Sequence, residues 1–203
     1  MNKIGYQEVY NIEESEFLLE DNIIYNKYFK EENIEELNSL TFDDCIFEKC
    51  IFLENISNNT FTNCKFINCD FSNINIEKSG LHFITIIDSK LVGTSFIECT
   101  IRNSIIKDNL SNMIYFSNSN FNNLIFEENS MLNCTIQLTK LNKVNFINNK
   151  MHDIEILNTS LKNIDLSSNE ISGIKISLND IKQSIIDYNQ IYDLINLLEI
   201  KIK

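Results

Sequence analysis

From Phe61 to Ile186 every fifth residue is apolar, with one exception at Ser111. The run reads Phe61, Phe66, Phe71, Ile76, Leu81 and so on; 25 of its 26 positions are apolar in a chain only 43% hydrophobic. A period of five matches neither the 3.6 of a helix nor the 2 of a flat strand. It marks an internal repeat whose units bury one face only by stacking on their neighbours. The spacing also holds upstream at Leu37, Phe42, Phe47 and Phe52, then shortens to four at Ile56. At Ser111 the spacing survives, so a bulge or distorted face is expected there and no inserted loop.

The position two before each apolar centre repeats as well. Cys45, Cys50, Asn59, Cys64, Cys69, Ser79, Ser89, Thr94, Cys99, Ser104, Ser119, Cys134, Thr139 and Thr159 occupy it. Small or β-branched residues fill this slot, so it also points inward. All six cysteines fall there. They read as small buried hydrophobes with free thiols, and no disulfide or metal site is expected.

The chain has no Pro and only four Gly. The usual turn residues are nearly absent, and Asn takes their place because it tolerates left-handed backbone. Residues 1–36 lie before the repeat and carry ten acidic side chains against Lys3, Lys27 and Lys30, a net −7 out of −12. They are expected to form an N-terminal acidic cap over the first coil, because an exposed strand edge invites aggregation. No secretory signal or membrane-spanning stretch is visible, so a cytoplasmic location is expected. The acidic balance disfavours direct binding to nucleic acid or to an anionic membrane.

Units such as Cys64-Lys65-Phe66-Ile67-Asn68, Cys69-Asp70-Phe71-Ser72-Asn73 and Ser119-Asn120-Phe121-Asn122-Asn123 resemble the pentapeptide-repeat family. That resemblance covers residues 37–186. It implies an all-β, right-handed quadrilateral β-helix in which four pentapeptides make one square coil. Roughly seven coils at the strand spacing give a rod about 35 Å long. In this geometry the short step after Phe52 makes the first coil 19 residues long. Phe42, Phe47 and Phe52 then stand over Phe61, Phe66 and Phe71, and Cys45 and Cys50 over Cys64 and Cys69.

The tail from Ser172 through Gln190-Ile191-Tyr192-Asp193-Leu194 to Ile200-Lys201-Ile202-Lys203 resembles that of quinolone-resistance (Qnr-type) pentapeptide-repeat proteins of Gram-positive bacteria. The resemblance implies a short C-terminal helix and strand over residues 187–203 that form a homodimer interface. It further implies a DNA-like dimer that binds DNA gyrase or topoisomerase IV and protects it from quinolones. By spacing alone, Ile191, Leu194, Ile195 and Leu198 make one apolar helix face, Asp187 is a candidate N-cap, and Ile200 and Ile202 alternate with lysines as a half-buried strand. The helix is read as a dimer interface or as a lid on the last coil.

A 20-residue coil also sorts charge by face. Asp88, Asp108 and Glu128 fall at one coil position and should stack as a ladder, with Glu127 and Asp165 on the same face and Lys65 and Lys107 opposing. This acidic face is the candidate partner-binding surface, or else it only keeps the rod in solution. An adjacent face carries Arg102, Lys140, Lys143, Lys162 and Lys182 against Asp180, so the rod is expected to be polarised across its width. No Ser-His-Asp constellation, P-loop, dinucleotide fingerprint or zinc spacing appears. No enzymatic activity and no cofactor are expected.

Overall fold

A left-handed backbone position recurs every five residues, and this is what turns the chain. Asn58, Asn63, Asn68, Asn73, Lys78, Phe83 and Asp88 all have φ between 49° and 62°, and the series runs on to Asn163. Among the described residues, 27 non-glycine residues have positive φ; twelve are Asn and four are Asp. These two residue types reach that conformation at least cost, so the Asn-rich composition supplies the corners. The computed structural model of the chain describes residues 3–9, 12–17 and 22–195.

Between corners lie strands of mostly two or three residues, every pairing parallel, to the coil before, the coil after or both. Phe61 pairs with Phe42 on one side and Leu81 on the other; Phe66 pairs with Phe47 and Ile86. Two faces merge into a twelve-stranded sheet, and a third makes an eight-stranded sheet. The fourth is joined mostly by single bridges, Asp70 to Lys90 to Leu110 to Ser130 to Lys150 to Glu170. There the chain makes a β-turn: Thr94 N–H donates to the Leu91 carbonyl at 3.2 Å, and Ile174 N–H to Ile171 at 3.1 Å. Positive φ at the third turn position, held by Asn73, Gly93, Met113, Asn133, Asp153 and Gly173, makes these type II turns. The result is an all-β, four-sided parallel β-helix of about eight coils with a short helix near its C-terminal end.

The short step at Ile56 has the predicted consequence. Phe42 stacks on Phe61 with ring centroids 5.0 Å apart, Phe47 on Phe66 at 4.9 Å and Phe52 on Phe71 at 4.2 Å. Each fully buried Phe contributes about 1.5–3 kcal/mol, so these columns anchor the N-terminal part of the core. Two sequence expectations differ from the structure. Stacking starts before residue 37: Ile24 pairs with Phe42, Phe29 with Phe47 and Ile34 with Phe52, so residues 23–34 already form coil rather than a separate cap. The centres Ile24, Phe29, Ile34 and Leu37 make a coil of 18 residues, which breaks the five-residue spacing that would have disclosed it. Ser111 causes no bulge. Its N–H donates to the Ser130 carbonyl at 2.8 Å in unbroken register, and its hydroxyl is left buried without a partner.

The inward slot has a physical reason. In many coils the N–H of the residue in it donates to a side-chain acceptor at the same position one coil on. Cys69 N–H donates to Ser89 Oγ at 3.0 Å, Ile84 to Ser104 Oγ at 3.2 Å and Cys99 to Ser119 Oγ at 3.0 Å. In one column the acceptor is asparagine. Asn109 N–H donates to Asn129 Oδ1, Asn129 to Asn149 and Asn149 to Asn169, at 2.9–3.0 Å. Their Nδ2 atoms donate to the carbonyls of Ile86, Ile106 and Phe126. Gln190 ends the column, with Nε2 on the Leu166 and Asn169 carbonyls and Oε1 accepting from Asp187 N–H. All six cysteines are buried and free. Burial pushes the thiol of Cys99 up to about 11 and that of Cys134 to about 12, so both stay protonated near neutral pH.

Asp187 caps the 3-10 turn Tyr188–Gln190, which leads into the helix Ile191–Leu194. A further short helix, Leu178–Ile181, is capped by Ser177. Among the described residues no helix is long and apolar enough to cross a membrane.

Candidate functional site: a carboxylate corner and the C-terminal helix

The register Ile86↔Ile106↔Phe126 places Asp88, Asp108 and Glu128 in one column at a corner. Their N–H groups donate to the carbonyls of Lys107, Glu127 and Ile147 in the following coil, at 2.9–3.3 Å. All three residues have φ between 53° and 56°. Asp at this position is therefore favoured by corner geometry, but Glu128 is not and is held there by its neighbours. Glu127 stands beside the column. Four of the five sequence-predicted carboxylates thus come together.

Lys107 sits among them. Its Nζ lies 3.3 Å from Glu127, 3.9 Å from Asp108 and 3.9 Å from Glu128. The hydrogen bond to Glu127, helped by Asp108 and Glu128, raises its pKa and keeps it charged. The cluster of four carboxylates and one ammonium carries a net −3. Asp165 lies apart. Its bridge partner is Ile185, and its carboxylate accepts the Ser167 N–H at 2.9 Å. The Ser167 hydroxyl, with that backbone hydrogen bond, holds the Asp165 carboxyl below the ordinary range.

Leu194 and Ile195 are half-buried, and Leu194 packs on the core. Ile191 is 44% exposed, between Tyr188 at 74% and Tyr192 at 69%. Leu198, Ile200 and Ile202 lie outside the described residues.

Sequence reasoning placed Asn59 and the small polar residues of the slot inward but missed the asparagine column. Asn109, Asn129, Asn149 and Asn169 recur at 20-residue spacing in the inward slot, and that recurrence was the available signal. It also missed an axial arm over residues 3–9. Gly5 N–H donates to the Asn103 carbonyl at 2.7 Å, Tyr6 N–H to Thr85 Oγ1 at 2.9 Å and Gln7 N–H to Asn63 Oδ1 at 2.6 Å. The segment runs along one corner of the rod across three coils, and only long-range hydrogen bonding discloses it.

Stacked strands with side chains sorted onto four faces define a parallel β-solenoid. Residues 59–131 match the family described as pentapeptide repeat region. No curated protein sequence matches the chain. Among solved structures, a trypsin-treated point variant of QnrB1, described as a plasmid-mediated fluoroquinolone resistance protein, is 13% identical. The match covers 89% of this chain and 99% of that one, with a TM-score of 0.40. HetL, a pentapeptide repeat protein involved in heterocyst differentiation regulation from the cyanobacterium Nostoc, is 8% identical over 80% of this chain and 86% of its own, with a TM-score of 0.34. Likeness at this level carries nothing about a partner.

Proposed function

We propose that the protein is a non-enzymatic, cytoplasmic interaction rod that docks its carboxylate corner on the basic DNA-binding surface of a type II topoisomerase. Gyrase or topoisomerase IV is the target, DNA the competitor, and protection from quinolones the outcome. The observation that carries this is the regular stacking of Asp88, Asp108 and Glu128, with Glu127 alongside. Carboxylates fixed one coil apart, about 4.8 Å, repel one another and offer a cationic groove a preformed anionic row. The resemblance of the tail supports the same reading. Asp165 contributes at the rim. In this reading two copies join through Ile191, Leu194, Ile195 and the segment carrying Leu198, Ile200 and Ile202. The outward Tyr188, Ile191 and Tyr192 support that, since clustered exposed apolar side chains mark interfaces.

A gyrase supercoiling assay with a quinolone present tests the target. Wild-type protein at micromolar concentration is expected to restore supercoiling, and Asp108→Lys to lose most of that effect. Equal behaviour of the two removes the corner from the mechanism, and no effect of either removes the topoisomerase. The second reading is a scaffold for another protein partner. The position of Lys107, which neutralises part of the corner, favours it. A strictly monomeric protein by light scattering removes the dimer from both.

A further inference from the structure

Among the described residues, coil stacking is interrupted after the strand Lys140–Ile147. The strand Asn120–Glu127 pairs with Lys140–Ile147 along its whole length, from Asn120↔Lys140 to Glu127↔Ile147. By the repeat, Lys143 N–H should next donate to the Lys162 carbonyl, as Asn63 does to His82 and Phe83 to Arg102, both at 2.9 Å. Instead, no backbone hydrogen bond joins residues 140–147 to residues 158–168. The cause is local. Ile164 N–H closes a turn on the Leu161 carbonyl and Asn169 N–H one on Leu166, both at 2.9 Å, so these faces are turns where earlier coils have strands. Residues 161–163 bond onward, Leu161 N–H to Asp180 at 2.7 Å and Asn163 N–H to Gln183 at 2.9 Å. Only side chains span the gap at its far corner, Ser168 Oγ and Asn169 Nδ2 donating to the Phe146 carbonyl.

The gap opens into a groove of about 700 Å³. Lys140, Lys143 and Lys162 line it, with Leu141 half-buried in its wall. Among the described residues none of the three lysines has a carboxylate within ion-pair distance. Residues 129–152 and 156–164 contain no Asp or Glu at all. An open strand edge presents unpaired N–H and C=O groups and accepts a further strand. A lone phosphate would meet the lysines and leave that edge unpaired. The same corner already holds an extended peptide further down the rod, where the arm over residues 3–9 bonds to Asn63 and Asn103.

We propose that this groove binds an extended, acid-rich peptide segment of a partner protein by strand addition along Lys140–Asn145. Its carboxylates meet Lys140, Lys143 and Lys162, and an apolar side chain covers Leu141. The site is separate from the carboxylate corner and stands whether or not a topoisomerase binds there.

The test is fluorescence anisotropy with a fluorescein-labelled octapeptide alternating glutamate and valine, run on the full chain. Saturable binding is expected, weakened at least tenfold by Lys143→Glu with Lys162→Glu and less than twofold by Lys78→Glu on another corner. All three lysines are exposed, so an unchanged melting temperature shows that the variants fold. Hydrogen exchange gives a second readout: the Leu141 and Lys143 amides should exchange freely in the free protein and become protected with peptide. The proposal is overturned by the absence of saturable binding, by equal loss in Lys78→Glu, or by protected amides in the free protein. Equal binding of a peptide N-methylated at alternate bonds reduces the groove to an anion site, and displacement by single-stranded DNA at equal concentration assigns it to nucleic acid; either result overturns strand addition.

Discussion

Ser111 is the one polar residue in a column otherwise made of Phe71, Leu91, Met131, Met151 and Ile171. It is 2% exposed, and its hydroxyl has no hydrogen-bond partner. Burying a hydroxyl without a partner costs about 1–3 kcal/mol. Ser111→Ala removes the group without adding volume and should stabilise the protein by about 1 kcal/mol, read as a higher denaturant midpoint at unchanged m-value. A lower midpoint would mean that the hydroxyl has a partner after all. Corner residues obey a different rule. Asn133 stands where φ is 55°, so its identity follows from backbone geometry rather than from contacts.

The coil is the next scale, and its polar column is where one substitution travels furthest. Asn129→Ala strands the Asn109 N–H and takes the side-chain donor away from the Ile106 carbonyl. A buried unsatisfied group costs about 1–3 kcal/mol, so a loss of roughly that size is expected in chemical denaturation. Asn142→Ala, whose side chain is exposed and reaches only Asn122 Oδ1, should change stability by less than about 0.5 kcal/mol. The contrast shows what the sequence discloses at this scale. The five-residue period fixed the apolar columns, the inward slot and the stacking of Asp88, Asp108 and Glu128. It did not separate an asparagine that holds a corner from one that satisfies the interior, because the residue type is the same and only its phase differs. Nor did it show the gap after Lys140–Ile147. Apolar centres continue at Leu161 and Leu166 with spacing intact, and whether a face is strand or turn leaves no mark on that spacing. The N-terminal coil was hidden for the opposite reason: its spacing departs from five while its stacking does not.

Over the whole molecule charge is the leading feature, −12 in 203 residues. Two carboxylates are held low by the same local motif. Burial works to raise the pKa of Asp70, but hydrogen bonds from the Ser72 side chain and N–H, with Lys90 alongside, outweigh it; Asp165 is held low by Ser167. A carboxyl whose folded pKa lies below its unfolded value stabilises the fold above about pH 4. That stabilisation is lost as pH falls through the folded value. Asp43, raised first by burial, works the other way. The acid limb of stability against pH should therefore be shallower in a variant carrying Asp70→Asn and Asp165→Asn. An unchanged limb would place acid sensitivity elsewhere.

A solenoid has no intrinsic length, because every finished coil is a template for another, including the first coil of a second molecule. The asparagine column makes this acute, since its last carbonyls point out of the end of the rod. Gln190, one methylene longer than the asparagine it follows, reaches back from outside the column and occupies those carbonyls itself. Its side chain thereby satisfies the acceptors that a further asparagine of the column would take, with the same amide chemistry that runs through the column.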